Sequence, residues 1–309
     1  MLHLVIPARN ESKYIADTIR RLCKSLSDLS MPWQIIVADN GSTDQTADAV
    51  KQCMMHNAQC IKKQFNNAKD NPDPGLRTPD CQIEYLSCPT VGKGAAIRHA
   101  ANQLPITNYQ LPMQGASGIN DIINSGDRGP LSDAKCESEF RVPNSEFKQY
   151  FGYIDADLSA DPDAISGMVA RLQSGAADIV IASRLLITKT TNRSWLRTLS
   201  SKLFNLASNL ALHLDVADAQ CGLKIMNSRS LSVLRDCQED GWFLDIELLA
   251  RARKAGLRIA EVPVPWTEFR YPNRASQINH LRDGIGAIKA VLQIKRNLRT
   301  SYIVHRTKD

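Results

Sequence analysis

Two carboxylates one residue apart, Asp155 and Asp157, close the run Phe151-Gly152-Tyr153-Ile154 and stand just before Leu158-Ser159-Ala160-Asp161-Pro162, which opens a helix. Phe151 to Ile154 has the composition of a buried strand, so both acids fall at its carboxyl end. In open α/β sheets that edge is the usual ligand crevice. Paired carboxylates there suit a divalent cation held through oxygen, with water and substrate phosphates completing the coordination. An Asp-Asp turn with Asp161 or Ser159 as a helix N-cap fits the same residues. A second chemical group is Gly92-Lys93-Gly94-Ala95-Ala96-Ile97-Arg98. Its glycines allow close backbone approach, and its lysine and helix start suit phosphate; Lys93 also reads as a solvated turn lysine. Arg184 follows a strand end without a helix partner, which favours a site role. Arg197 and Ser201 share one helix face four residues apart, as site residues or as a structural polar stripe. Asp245 and Glu247 are candidate catalytic carboxylates, or first-turn acids that suit the helix dipole. Glu11 has the place of a capping-box partner. Trp242 and Trp266 read as core or rim packing.

The elements that position these groups alternate. Leu2 to Ile6 is an apolar run ending at Pro7-Ala8-Arg9-Asn10-Glu11-Ser12, followed by a helical pattern through Ile15, Ile19, Leu22 and Leu26. Trp33 to Ala38 ends at Asp39-Asn40-Gly41-Ser42-Thr43-Asp44, and Ile83 to Leu86 leads to the Lys93 segment. Strands alternating with helices at this spacing predict an α/β fold with a mostly parallel central sheet. Beyond the Asp155 strand come a helix from Asp163 to Gln173, a strand from Asp178 to Ala182, and a helix from Ser194 to Leu212. Asp218 to Lys224 reads as a turn into a short strand, Trp242 to Lys254 as a helix, and Arg258 to Val264 as the last strand. Residues 62–80 and 105–144 are polar and without periodicity, and connections that long are uncommon in compact domains. They read as surface insertions in a single domain over 1–268, with a helical tail over 269–309.

At 309 residues, 43% hydrophobic and 23% charged, the composition is that of an ordinary globular protein. No apolar run reaches the length of about 18 residues that a spanning helix needs, and Met1 to Ile6 is too short for a signal peptide. Eight cysteines without a CxxC pair read as reduced cytosolic thiols. The net charge of +6 is uneven: Phe269 to Asp309 holds nine Lys or Arg against two Asp, leaving the rest near −1. There Leu281, Ile285, Ile288 and Leu292 recur at helical spacing, with Val291 and Leu298 widening the face and Arg282, Lys289 and Arg296 on another line. This is either a docked helix with a solvated basic face or a helix lying on an anionic membrane surface.

In order along the chain, Val5-Ile6-Pro7-Ala8-Arg9-Asn10-Glu11, Asp39 to Asp44, Gly92 to Arg98, Asp155-Ala156-Asp157, Ala182-Ser183-Arg184, Asp218 to Lys224, Trp242 to Leu249 and Glu261-Val262-Pro263-Val264 resemble the family-2 glycosyltransferases of the GT-A nucleotide-sugar-binding type. Within them the chain is most similar to the polyprenyl-phosphate sugar synthases of the dolichyl-phosphate β-glucosyltransferase kind. The resemblance implies an inverting, metal-dependent transfer of a sugar, glucose from UDP-glucose, to a polyprenyl or dolichyl phosphate. It implies a donor site of Pro7, Ala8, Asn10, Glu11, Asp39, Gly41, Lys93, Arg98, Asp155 and Ala156. Asp155 and Asp157 would hold Mg²⁺ or Mn²⁺, and Arg184, Arg197 and Ser201 would meet the acceptor phosphate or the donor sugar beside Asp157. Two departures stand out. Arg9 takes the place of a common aromatic before Asn-Glu, and Ser159 stands where mannosyl-type relatives often have Gln. A lipid phosphate is already largely ionised near neutral pH, so it needs no general base, and Arg184, Arg197 and Lys224 are the cations available to hold two anions together. A hydroxyl acceptor would instead require a base, with Asp245, Glu239 or Asp240 as candidates. A third reading is a non-catalytic nucleotide-sugar-binding or nucleic-acid-binding module. The intact Asp155/Asp157 pair and Lys93 argue against it, and no nucleic-acid partner is expected. The expected setting is the cytoplasmic face of a membrane, peripherally bound.

Overall fold

Leu2–Ala8 (β1) is apolar at almost every position and buried along nearly its whole length, the pattern of a strand covered on both faces. Trp33–Asp39 (β2), Tyr150–Ile154 (β4) and Ile179–Ser183 (β5) share it. A computed structural model describes residues 1–56, 81–104, 149–186, 208–209, 211–267, 286 and 289–298. With Cys81–Ser87 (β3), Leu223–Asn227 (β6) and Ile259–Pro263 (β7), these strands form a seven-stranded sheet in the order β3-β2-β1-β4-β6-β5-β7. All pairs are parallel except the two made by β6, which runs against both β4 and β5. The mostly parallel sheet is thus as expected from the sequence. The starts of four strands stand level, with Leu2 opposite both Trp33 and Tyr150, and Trp33 opposite Cys81.

Side-chain alternation along each strand divides the core into two layers. Leu4, Ile6, Ile35 and Ile154 pack with Ile15, Ile19 and Leu22 of α1 (Ile15–Leu26) and with Ile165 and Val169 of α4 (Ala164–Gln173). On the other face Val5, Ile36, Phe151 and Tyr153 meet Ala96, Ile97 and Ala100 of α3 (Lys93–Gln103), Leu231 of α5 (Ser228–Arg235) and Leu248 of α6 (Leu244–Lys254). A helical stretch over 46–56 (α2) follows β2 and buries Val50. The small side chains of α3 let its backbone approach the sheet closely.

Residues 289–298 are helical (α7) and bury Val291 and Ile294 in the α3–α6 layer, with Leu298 packed beside them. Lys254 donates to the Leu298 carbonyl, and Asn297 to Gln238 Oε1 at 3.1 Å. Leu292, expected on the apolar face, instead points outward at 62% exposure, because docking through Val291 and Ile294 turns it away from the body. Leu281, Arg282, Ile285 and Ile288 lie outside the described residues, as do both insertions and the helix expected from residue 194 up to residue 207. No described helix is long and apolar enough to cross a membrane.

Asp178 ties β5, β6 and β7 together at their common edge. It accepts from Asn227 Nδ2 at 3.0 Å, from the Arg258 amide at 2.9 Å, and from Arg258 Nε and Nη2 at 3.1 and 3.2 Å. Burial works to raise its pKa, but the bonds from Arg258 and Asn227 outweigh it and hold the carboxyl below the usual range. A depressed folded-state pKa stabilises above the unfolded value and is lost as pH falls through the folded one. Asp178→Asn should therefore lower the denaturation midpoint at pH 7, and its gap to wild type should close toward pH 3. A gap independent of pH would refute this assignment.

Candidate functional site

β4 delivers Asp155 to the carboxyl edge of the sheet, and a tight turn holds it there. The Asp155 amide donates to the Gly222 carbonyl at 3.1 Å, and Leu158 N–H closes the turn on the Asp155 carbonyl at 3.0 Å. Leu158 takes φ 48°, a left-handed conformation that costs a non-glycine residue roughly 1–2 kcal/mol. The surroundings supply the compensation. Thr18 Oγ1 of α1 donates to the Ala156 carbonyl at 2.6 Å, and Asp157 Oδ1 accepts the Ser159 amide at 3.0 Å. Behind the turn, Asp161 N–H reaches the Pro265 carbonyl and Thr267 N–H the Ser159 carbonyl, while Ala160 bridges to Trp266. Gly222 is required by space: a Cβ there would lie 1.9 Å from Asp155 Oδ2.

A buried chain of charge starts at this turn. Lys93 Nζ lies 2.8 Å from Asp155 Oδ1 and 3.5 Å from Asp245 Oδ2. Asp245 Oδ1 accepts from Lys224 Nζ at 2.5 Å and from the Tyr153 hydroxyl at 2.6 Å, and Lys224 also reaches the Cys221 carbonyl at 2.7 Å. Burial opposes the charge on Lys93, but Asp155 and Asp245 outweigh it and keep the group an ammonium well above its ordinary range. For Asp245, burial is outweighed by Lys224 and then Lys93, so its pKa is lowered. Asp155 moves the other way: burial, with Asp157 and Asp245 adding to it, exceeds the help from Lys93. Three carboxylates thus face two ammonium groups, and the outer pair carries the surplus negative charge.

The loops after β1 and β2 form the neighbouring wall. Asn10, at φ 56°, accepts the Thr43 amide at 2.8 Å through Oδ1, and its own amide donates to Ser42 Oγ at 2.9 Å. The Glu11 amide donates to Thr46 Oγ1, and the Ser12 amide to Asp44. Asp39 accepts the Ser42 amide at 2.9 Å and the Tyr85 hydroxyl at 2.8 Å; burial first, then Asp39, pushes that phenol up to about 12. Asn40 Oδ1 accepts from the Gly92 amide at 2.5 Å, which links this wall to Lys93. Pro7 and Ala8 end β1 beside it, Ala8 accepting the Asn40 amide, and Gly41 turns the second loop at φ 74°.

Several expectations are corrected here. The α3 start is not open to phosphate, because its Gly94 and Ala95 amides donate to the Gly241 and Asp240 carbonyls at 3.2 and 3.1 Å. Arg98 bonds the Cys237 carbonyl and the Asp240 carboxylate, so its guanidinium holds the 237–241 loop. Lys224 is fully buried and cannot meet a substrate anion. Glu247 is also buried, accepting the Gln238 and Glu239 amides and Arg251 Nε, which makes it a loop clamp and not a base. Asp245 is engaged at both oxygens. Glu11 stands ahead of α1, whose N-cap is Tyr14, and its backbone carbonyl accepts the Tyr14 and Ile15 amides at 2.9 Å. At α4 it is Asp161 that takes an amide, that of Asp163 at 3.1 Å. Trp242, expected to pack, is 62% exposed. Arg184 Nε lies 2.8 Å from Asp218 Oδ2, its amide reaches the same oxygen, and its guanidinium stands 4.9 Å from the Trp266 ring. Glu261 accepts the Ala217 and Asp218 amides behind this pair. Arg197 and Ser201 lie outside the described residues.

Sequence reasoning missed Thr18, Tyr85 and Tyr153, and gave Asp245 no structural partner. Among the described residues no group of three or more His, Cys, Asp or Glu forms a metal cage. Two hard carboxylate oxygens at a strand end, in surplus negative charge, nevertheless fit a Mg²⁺- or Mn²⁺-type ion whose other ligands come from water and phosphate.

The sequence profile described as glycosyl transferase family 2 matches residues 3–71 and 145–235. The glycosyltransferase AglD of Haloferax volcanii is 26% identical over 294 residues, which are 94% of this chain and 36% of that protein. A dolichyl-phosphate beta-glucosyltransferase of Trichomonas vaginalis, ALG5A, is 26% identical over 275 residues, 87% of this chain and 66% of that protein. The chain therefore spans about a third and about two thirds of the lengths of these relatives. The dolichyl-phosphate beta-glucosyltransferase of Saccharomyces cerevisiae is 25% identical over 91% of this chain and 71% of its own. Glucosyl-3-phosphoglycerate synthase of Mycobacterium tuberculosis, solved with Mn²⁺, UDP-glucose and phosphoglyceric acid, superposes with a TM-score of 0.54 at 17% identity, over 95% of this chain and 78% of that one. That likeness is one of fold.

Removing one partner of a buried ion pair leaves the other charge uncompensated, at about 3–5 kcal/mol. Lys224→Met, similar in volume, should lower unfolding free energy by about that amount in a denaturant titration at pH 7. A loss under about 1 kcal/mol, the value of an exposed pair, would show that Asp245 does not depend on Lys224.

Proposed function

This chain belongs to glycosyl transferase family 2, and on that footing we propose that it transfers glucose from UDP-glucose to a polyprenyl phosphate, with inversion at the anomeric carbon. The observation that carries the choice of acceptor is the state of Asp245. This carboxylate has both oxygens engaged, by Lys224 and Tyr153 on one side and Lys93 on the other, and Glu247 is closed off in the same way. A hydroxyl nucleophile needs a base at the site, whereas a phosphate monoester, with a second pKa of about 6, needs none. The names of the relatives that act on dolichyl phosphate agree with this reading.

In this reading an acceptor phosphate oxygen attacks the anomeric carbon from the side opposite the nucleotide. The bond to the diphosphate oxygen breaks, and UDP leaves. Asp155 and Asp157 would hold Mg²⁺ or Mn²⁺, which would offset the charge developing on the diphosphate. Lys93 shares its ammonium between Asp155 and a diphosphate oxygen, with Asp245 beside the same nitrogen. Pro7, Ala8, Glu11 and Asp39 hold the uracil and ribose without a stacking aromatic, and Asn10 and Gly41 shape that wall. Arg98 serves the donor site through the 237–241 loop. Arg184, with Arg197 and Ser201 from the same resemblance, meets the acceptor phosphate. The protein sits peripherally on the cytoplasmic leaflet: α7 buries Val291 and Ile294 while Lys289, Leu292 and Arg296 are exposed on its outer side, a basic and apolar face suited to anionic lipid.

Asp157→Ala, or chelation with EDTA, should reduce transfer to a polyprenyl phosphate about 100-fold or more, and UDP should compete better than GDP in a binding titration. Full activity in EDTA, or tighter binding of GDP, would refute the donor assignment. Lys289→Gln combined with Arg296→Gln should weaken binding to anionic vesicles about 30-fold at low salt, at about 1 kcal/mol for each charge. Equal binding to neutral and anionic vesicles would remove the membrane from the scheme.

A further inference from the structure

Trp242 is among the most exposed large apolar side chains of the described chain, at 62%, and its ring centroid lies 5.5 Å from Lys93 Nζ. The loop that leads to it, by contrast, is held at several points. Glu247 Oε2 accepts the Gln238 and Glu239 amides at 2.9 and 2.7 Å, and Glu239 Oε1 accepts the Gly241 amide at 3.0 Å. The Asp240 and Gly241 carbonyls take the first amides of α3, and Arg98 bonds Cys237 and Asp240. Glycine at 92 and 94 is what lets the two segments touch, since a Cβ there would lie 2.0 Å from the Asp240 carbonyl oxygen and 2.4 Å from that of Glu239. A buried acid, an arginine and a helix terminus thus fix a short loop whose one large side chain stands in solvent beside the site lysine. Packing in the core does not account for the position of this ring.

We infer that the Trp242 ring is the platform against which the donor's sugar stacks, and that it supplies the part of donor affinity due to the sugar and not to the nucleotide. This rests on the donor reading given above. The geometry selects the sugar over other occupants. Lys93 Nζ lies 2.8 Å from Asp155 and 5.5 Å over the ring centroid, so a diphosphate engaged by that ammonium brings its glycosyl group within reach of Trp242. The C–H face of a pyranose is apolar and its rim is wet, the combination that Trp accommodates best. The ammonium at the same ring keeps the indole beside the scissile bond.

The test is binding, measured with Mg²⁺ present and no acceptor. Wild type should bind UDP-glucose more tightly than UDP, and UDP-glucose should change tryptophan fluorescence beyond the change caused by UDP. Trp242→Ala should leave UDP affinity within about twofold and weaken UDP-glucose about tenfold, the upper range for an aromatic contact. Trp242→Phe should keep most of that affinity and lose the sugar-specific fluorescence change, since Trp33, Trp195 and Trp266 remain. UDP-galactose and UDP-N-acetylglucosamine, run in parallel, cover a donor whose sugar is not glucose. Equal weakening of UDP and the sugar nucleotides in Trp242→Ala would overturn the inference, by showing that the ring only props Lys93. Unchanged donor binding with weakened binding of a polyprenyl phosphate would overturn it in favour of a lipid contact. Failure of the wild type to bind UDP at all would instead strike the donor reading itself, and this inference with it.

Discussion

A carboxylate withdrawn from water is tolerated only when it is paired and hydrogen-bonded, and Asp245 is such a group at the centre of this molecule. Its partners come from three other elements: Lys93 at the start of α3, Tyr153 on β4 and Lys224 on β6. Tyr153 and Lys224 are directly paired across the antiparallel β4–β6 ladder, so the reversal of β6 is what brings a hydroxyl and an ammonium to the same oxygen. Displacing any of these elements would strand a charge in the interior. The requirement that Asp245 be satisfied therefore fixes the relative placement of helix and sheet, and through Lys93 it fixes what faces Asp155.

The wall built from the β1 and β2 loops is assembled differently. There the bonds run from backbone amides to short polar side chains, Asn10 to Thr43, Glu11 to Thr46 and Ser12 to Asp44. On the opposite side Arg184, Asp218, Glu261 and Trp266 form a compact ionic and aromatic cluster. One wall is a surface of fixed dipoles and the other of fixed charges, with the Asp155-Ala156-Asp157 turn between them. Such preorganised groups need no rearrangement when charge develops.

The strands, the helices α1, α3, α4 and α6 and the position of Asp155 and Asp157 at a strand end were legible in the sequence because they follow from local periodicity, whereas α5 was not expected. What was not legible depends on segments distant in the chain. Lys224 reads as a cation available to a substrate anion, since a polar residue between Leu223 and Ile225 ordinarily faces water. Here both faces of the sheet are covered, so alternation moves it from one buried layer to the other. The α3 start has the glycines and lysine of a phosphate loop, yet the 240–241 carbonyls claim its amides. Asp245 has the position of a helix-dipole acid, and only the fold brings two lysines to it. The exposure of Trp242 follows from clamps at Glu247 and Arg98, which no local pattern announces.

The four level strand starts, Leu2, Trp33, Cys81 and Tyr150, define the rim of the sheet opposite the Asp155 turn. The stretches 57–80 and 105–148 are each joined to the described fold between the end of a helix and one of these starts, Cys81 or Tyr150. Their anchor points therefore lie on the far rim from the carboxylates and Lys93. Insertions and deletions can accumulate there over evolutionary time without re-aiming a single reactive group. The same junctions are places to graft an affinity handle or a reporter onto this scaffold.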